Sequence, residues 1–218
     1  MLKSGKRVGL VVVLGGLTAL AGADTNVAEG RKFAWGENVG WLNFRDAAAG
    51  SQGVRVYPDH LSGFVWGENI GWINVGPGNG PYENDPGDSA TFGVNVDPST
   101  GDLYGLAWGE NIGWVNFDTT TVIGIDGAHF DLSSGHFSGF AWGENIGWIN
   151  LGGSTTYVCA QVADVDGDGS VTFADLNELL DNWASSVPAG NAGDVNGDAQ
   201  VNFQDLEILL DSWASTCS

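Results

Sequence analysis

The chain has 218 residues, with seven Lys and Arg against 27 Asp and Glu and a formal net charge of −20. Such a surface excludes nucleic acid as a partner, since neutralising phosphates takes clustered Lys and Arg; it also repels anionic membranes and invites divalent cations. The length is enough for one or two small domains with a real core.

Lys3, Lys6 and Arg7 precede an apolar run from Val8 to Leu20, and Ala21-Gly22-Ala23 supplies small residues for cleavage. That order predicts a secretory signal peptide over residues 1–23, with Asp24 as the first mature residue. The run is shorter than the ~20 residues of a membrane span, and no later segment is apolar enough to cross. The protein is therefore expected outside the cell or on its surface, with no membrane insertion after cleavage. Removing the peptide would leave four basic and 27 acidic residues, a net charge of −23.

Residues 24–156 are rich in Gly, Trp, Phe, Val and Asn and carry a repeat. It reads FAWGENVGWLN from Phe33, FVWGENIGWIN from Phe64, LAWGENIGWVN from Leu106 and FAWGENIGWIN from Phe140. The opening Trp recurs in steps of 31, 42 and 34 residues, and the long step holds a loop-like insertion from Gly76 to Ala90. Three copies follow a shared lead-in: GVRVYPDHLSG, GVNVDPSTGDLYG and AHFDLSSGHFSG. Each full unit predicts three short antiparallel strands joined by Asp-Pro and Gly-Glu-Asn turns. A two-residue loop at Glu110-Asn111 would set Trp108 opposite Gly113 and Ala107 opposite Trp114. Sandwich, barrel and stacked solenoid all remain open.

The eight repeat tryptophans (Trp35, Trp41, Trp66, Trp72, Trp108, Trp114, Trp142 and Trp148) admit two readings. They are core anchors, because Trp buries a large area, or they form a platform on which sugar rings stack. Glu37, Glu68, Glu110 and Glu144 recur at one turn position, which suits a structural role in each copy rather than catalysis. Asn43, Asn74, Asn116 and Asn150 are expected to bond neighbouring backbone. There is no nucleophile elbow, His-centred metal site or phosphate loop, and His60, His129 and His136 are scattered. No pair of unrepeated carboxylates suggests a glycoside hydrolase. The expectation is a protein that is not an enzyme. These repeats resemble AWxENxGWIN repeats of uncharacterised exported bacterial proteins, a likeness that brings no activity with it.

Cys159 and Cys217 are the only cysteines. In an exported chain they most simply pair, bracketing the acidic C-terminal segment; two free thiols are the alternative. Between them the pattern changes. Asp164, Asp166, Asp168, Ser170, Thr172 and Asp175 stand at positions 1, 3, 5, 7, 9 and 12 of one loop. Asp194, Asn196, Asp198, Gln200, Asn202 and Asp205 repeat the spacing thirty residues on. Calcium takes six to eight oxygens at 2.3–2.6 Å, so a tight loop must turn alternate side chains inward, with position 7 giving a backbone carbonyl. Two Ca2+ sites are predicted. Each loop leads into an amphipathic helix, with Leu176, Leu179, Leu180 and Trp183 on one face and Leu206, Leu209, Leu210 and Trp213 on the other. Neither loop has a helix before it, unlike an ordinary EF-hand. Eleven acids and no bases lie between Asp164 and Asp211, so calcium-dependent folding is expected.

The duplicated loop-helix unit with Asp at position 12 is similar to type I dockerins over about residues 160–215. The resemblance implies a calcium-folded docking module over 158–218 that plugs into a cohesin-like domain. Ala199 replaces the Gly169 of the first loop, which predicts a strained or weaker second site. Phe173-Ala174 and Phe203-Gln204 stand where cohesin-recognising dockerins often carry small hydroxyl residues, and the segment lacks their basic residues.

The expected fold is mainly β: an antiparallel β-repeat domain followed by a small all-α paired loop-helix calcium module. The expected function is display or assembly of the β-repeat domain through calcium-dependent docking or self-assembly. The alternatives are a carbohydrate-binding accessory of an extracellular polysaccharide-degrading complex and a structural surface-fibre protein.

Overall fold

A computed structural model describes residues 25–47, 52–153 and 155–217; the expected signal peptide lies outside them. Each WGEN-x-GW motif folds as a β-hairpin: β1 (Val27–Gly36) with β2 (Gly40–Asn43), β4 (Leu61–Gly67) with β5 (Gly71–Gly76), β7 (Leu103–Gly109) with β8 (Gly113–Asn116), and β10 (Phe137–Gly143) with β11 (Gly147–Gly152). The third hairpin pairs Trp108 with Trp114 and Gly109 with Gly113. Its loop is therefore Glu110-Asn111-Ile112, one residue longer than expected. The Ile112 amide donates to the Gly109 carbonyl at 3.2 Å, and Gly113 takes φ +77°. This is a turn closed by a left-handed glycine. The extra residue is claimed by the core, because Ile112 is buried under the tip, as are Val39, Ile70 and Ile146 in the other copies. A Cβ on Gly109 would lie 2.6 Å from the Ile112 side chain, so only glycine can open the turn.

The hairpins join through one recurring pairing. The Asn that ends each motif sits opposite the opening Trp of the next: Asn43 with Trp66, Asn74 with Trp108, Asn116 with Trp142 and Asn150 with Trp35. The last pair returns to the first strand. Strand order β11-β1-β2-β4-β5-β7-β8-β10, with β10 also paired to β11, closes an eight-stranded antiparallel barrel. Neither a sandwich nor a solenoid forms.

Inside lie facing pairs of aliphatic residues: Ala34 and Leu42, Val65 and Ile73, Ala107 and Val115, Ala141 and Ile149, all buried. They fill the barrel as a packed core. The tryptophans occupy the alternate positions and face outward, so they do not act as core anchors.

Four short strands pair onto the barrel strands. The lead-in strands β3 (Arg55–Val56), β6 (Val94–Val96) and β9 (His129–Phe130) pair with β4, β7 and β10. The first hairpin receives its partner from the other end of the chain: β12 (Val158–Ala160) pairs with β1.

The C-terminal segment corrects the expected fold class. Among the described residues its only helices are α1 (Phe173–Asp181) and α2 (Phe203–Asp211), nine residues each. Around them run extended bridges, Ser170 with Thr216 and Ser186 with Gln200. Its Val162, Val171, Leu179, Val195, Val201 and Leu209 belong to the same buried core as the barrel. A separate all-α module is therefore not what forms; the chain is mainly β, built on a closed eight-stranded barrel. Two nine-residue helices bury one leucine each, Leu179 and Leu209, and leave Leu180 and Leu210 exposed. That is too little apolar surface for an independent core. The barrel supplies the rest. The Arg45 guanidinium donates to the Val27 carbonyl and to the Gly167 carbonyl. Asn26 donates to the carbonyls of Val56 and Val162. A disulfide links Cys159 and Cys217, as expected.

Candidate metal centre

The first acidic loop winds around its opening residue. Asp164 is buried; one carboxylate oxygen accepts the amides of Gly167 (2.8 Å) and Asp168 (3.1 Å), and the other that of Gly169 (2.7 Å). Asp175, also buried, reaches back from the first turn of α1. It accepts the amides of Val165 (2.7 Å) and Asp166 (3.2 Å) on one oxygen and Thr172 (2.7 Å) on the other. Thr172 caps α1 by accepting the Ala174 amide at 3.1 Å. Position 12 is thus held by a capping box, the reciprocal bonding of helix N-cap and N3.

This winding brings carboxylate oxygens of Asp164, Asp166 and Asp168 within 4.8 Å of one another. Burial pushes Asp164 up to about 7, with the neighbouring Asp175 and Asp166 carboxylates adding to the rise against its backbone bonds. Burial raises Asp166 too. Three crowded carboxylates without a countercharge are costly as anions, and a hard divalent cation would relieve that cost. Oxygen-only donors suit calcium or magnesium rather than zinc or copper.

The second loop repeats the winding. Asp194 accepts the amides of Gly197 (2.9 Å), Asp198 (3.1 Å), Ala199 (2.9 Å) and Gly190 (3.1 Å). Asp205 accepts those of Val195 (2.8 Å), Asn196 (3.2 Å) and Asn202 (2.8 Å). Asn202 caps α2 through the Gln204 amide. Burial raises Asp194. Asn196 donates to Asp198 at 3.2 Å, so this loop carries one carboxylate fewer. Ala199 adopts φ +65°, matching Gly169 at +92°, which is the strained conformation expected of it. Among the expected ligands, the structure gathers Asp164, Asp166 and Asp168 directly. The side-chain oxygens of Thr172 and Asn202 serve the helix caps, and the amides of Ser170 and Gln200 bond Asp168 (2.9 Å) and Asp198 (2.8 Å).

The tryptophans form a belt outside the barrel. Each hairpin carries one cross-strand edge-to-face or tilted pair: Trp35–Trp41 at 4.9 Å, Trp66–Trp72 at 5.0 Å, Trp108–Trp114 and Trp142–Trp148 at 4.7 Å. Trp66 and Trp148 are half-buried and the other six are exposed.

No protein-family model, curated protein or solved structure matches this chain.

Asn43, Asn74, Asn116 and Asn150 do bond neighbouring backbone, each accepting an amide two residues on. The repeated glutamates depart from expectation. Glu37 accepts the Trp148 amide at 3.2 Å, whereas Glu68, Glu110 and Glu144 make no side-chain hydrogen bond among the described residues. The loop asparagines, which recur in all four motifs, carry the bonds between hairpins. Asn38 donates to Ile146, Asn145 to Ile112, Asn111 to Ile70 and Asn69 to Val39, always to a backbone carbonyl at 3.0–3.2 Å.

Proposed function

We propose that this is an exported, non-catalytic protein whose two acidic loops each bind one Ca2+, and whose loop-helix pair is a docking surface for another protein. The observation that carries the reading is the convergence of Asp164, Asp166 and Asp168 within 4.8 Å, echoed by the same backbone winding around Asp194 and Asp205. Calcium would sit among side chains already turned inward by backbone bonds, so little ordering cost remains for binding. Docking is supported by Phe173 and Phe203, 71% and 76% exposed at equivalent positions. Each meets one tryptophan edge-to-face, Trp213 and Trp183 respectively, at 4.9 Å. Two equivalent apolar patches on an acidic surface suit a partner with an apolar socket and a basic rim. The similarity to type I dockerins makes a cohesin-like domain the first partner to try.

Calorimetric titration of the chelator-treated full chain with calcium tests the metal. Two sites are expected, falling to one in Asp164→Ala and one in Asp194→Ala. No saturable calcium binding would sink the proposal. Docking is tested separately: a partner captured in calcium should be lost on chelation and in the double variant Phe173→Ser/Phe203→Ser.

A further inference from the structure

The four tryptophan pairs are equivalent in sequence but not in surroundings. At the third hairpin Phe92, from the long connection, lies against Trp114 at 5.4 Å. The space left there is about 290 Å³. At the first hairpin Phe33 meets Trp41 edge-on at 6.0 Å and leaves the pair more open. Trp35 and Trp41 are 45% and 52% exposed, and an open groove of about 710 Å³ runs beside them toward Trp66, with Glu68, Asn69 and Thr156 on its rim. This volume lies within the roughly 300–1,000 Å³ of small-molecule sites.

We propose that this groove binds a neutral, hydroxyl-rich linear glycan, a role that goes beyond calcium binding and docking. Three indole rings offer apolar faces. The rim offers acceptors that the fold leaves unused: Glu68 has no hydrogen bond among the described residues, and Asn69 spends only its amide, on the Val39 carbonyl. A ligand must therefore show an apolar face to the rings, polar edges to the rim and a hydrated side to solvent. A pyranose does this: its C–H face stacks on indole while its hydroxyls donate to carboxylate and amide oxygens. A purely aliphatic ligand would leave the rim oxygens desolvated without partners. An anionic ligand would meet Glu68, and the basic side chains of β1 are already engaged, Lys32 with Asp46 at 2.5 Å and Arg31 over the Tyr157 ring at 4.6 Å. A small ammonium ion would suit a carboxylate and rings, but the groove of about 710 Å³ is far larger than its head group.

The test uses the full chain in calcium and a panel of neutral hexasaccharides: β-1,4-glucan, β-1,3-glucan, β-1,4-mannan and α-1,4-glucan. Binding is read by calorimetry and by tryptophan fluorescence. At least one should bind at a single saturable site. Affinity should fall by about tenfold or more in Trp41→Ala, the scale of one aromatic contact, and severalfold in Glu68→Ala. It should be unchanged in Trp114→Ala, a residue that does not line this groove. Glu68→Ala alters an exposed loop residue with no bonds to lose, so it decides the matter if Trp41→Ala does not fold. The proposal is overturned if no member of the panel binds, if Glu68→Ala binds like the parent, or if tetramethylammonium binds and the oligosaccharides do not.

Discussion

The side-chain amide of Asn38 donates to the backbone carbonyl of Ile146 at 3.2 Å, across 108 residues of sequence. It is the closing link of four. Each hairpin tip clasps the tip before it, so the barrel is held in a ring at its hairpin end. The same asparagine in a single hairpin would have nothing to reach.

Replacing Asn38 with Ala removes one clasp and leaves a partly buried carbonyl without its donor. Stability should drop by about 1 kcal/mol and Tm by about 2–4 °C, read by thermal denaturation in calcium. Asn111→Ala, which breaks the equivalent bond to Ile70, should cost a similar amount. A Tm unmoved by either change would show that the clasps contribute nothing.

Ala199 stands in a left-handed conformation that costs an L-residue about 1–2 kcal/mol, while glycine gives back roughly 0.5–1 kcal/mol in chain entropy. Ala199→Gly should therefore stabilise the second loop by up to about 1 kcal/mol and tighten its calcium binding a few-fold. Gly169→Ala should do the reverse in the first loop. Site-resolved calcium titration distinguishes the two; equal affinities in all three proteins would refute the strain argument.

The Cys159–Cys217 disulfide spans 58 residues and ties β12 to the end of the chain. By the chain-entropy account, closing a loop of this size contributes about 4 kcal/mol. The double variant Cys159→Ser/Cys217→Ser should unfold at clearly lower denaturant, with the β12–β1 edge exchanging amide hydrogens first. An unchanged midpoint would place the stabilisation elsewhere.

Asp131 accepts the Ser133 hydroxyl at 2.7 Å and the amides of Ser133 (2.8 Å) and Ser134 (3.1 Å) in the turn before β10. The Ser133 hydroxyl leads in pulling its carboxyl down from 3.8 to about 2, against the opposing effect of burial. A lowered carboxylate stabilises the fold above its unfolded value and loses that contribution as pH falls through the folded one. Asp131→Ala should thus be less stable than the parent at pH 6, and the gap should narrow between about pH 4 and 2. A gap independent of pH would mean that the charge is not what the turn uses.

Much of the site was legible because it is local. Twelve residues with oxygen at alternate positions specify a loop wherever it sits, and Thr172 with Asp175 specifies the helix start that follows. The hairpins were legible for the same reason, from Gly-Glu-Asn between β-branched and aromatic flanks. The hairpin register was not, because a short loop can close with two or three residues. Only the pull of Ile112 into the core selects three. A one-residue slip separates Trp108 and Trp114 onto opposite faces, so the outward-facing pairs exist only in the three-residue register.

Composition and spacing determined by themselves the four hairpins, the two acidic loops with their helices, and the cysteine pair. All of these rest on contacts within a few tens of residues or on residue chemistry. Tertiary structure decided that the hairpins close into a barrel, that β12 completes the first of them, and that the C-terminal helices share the barrel's core. It also decided which face of each strand is inside. Alternation defines two faces for a strand, but a ring of eight has room within only for aliphatic pairs such as Ala34 and Leu42, so the larger indoles are left outside.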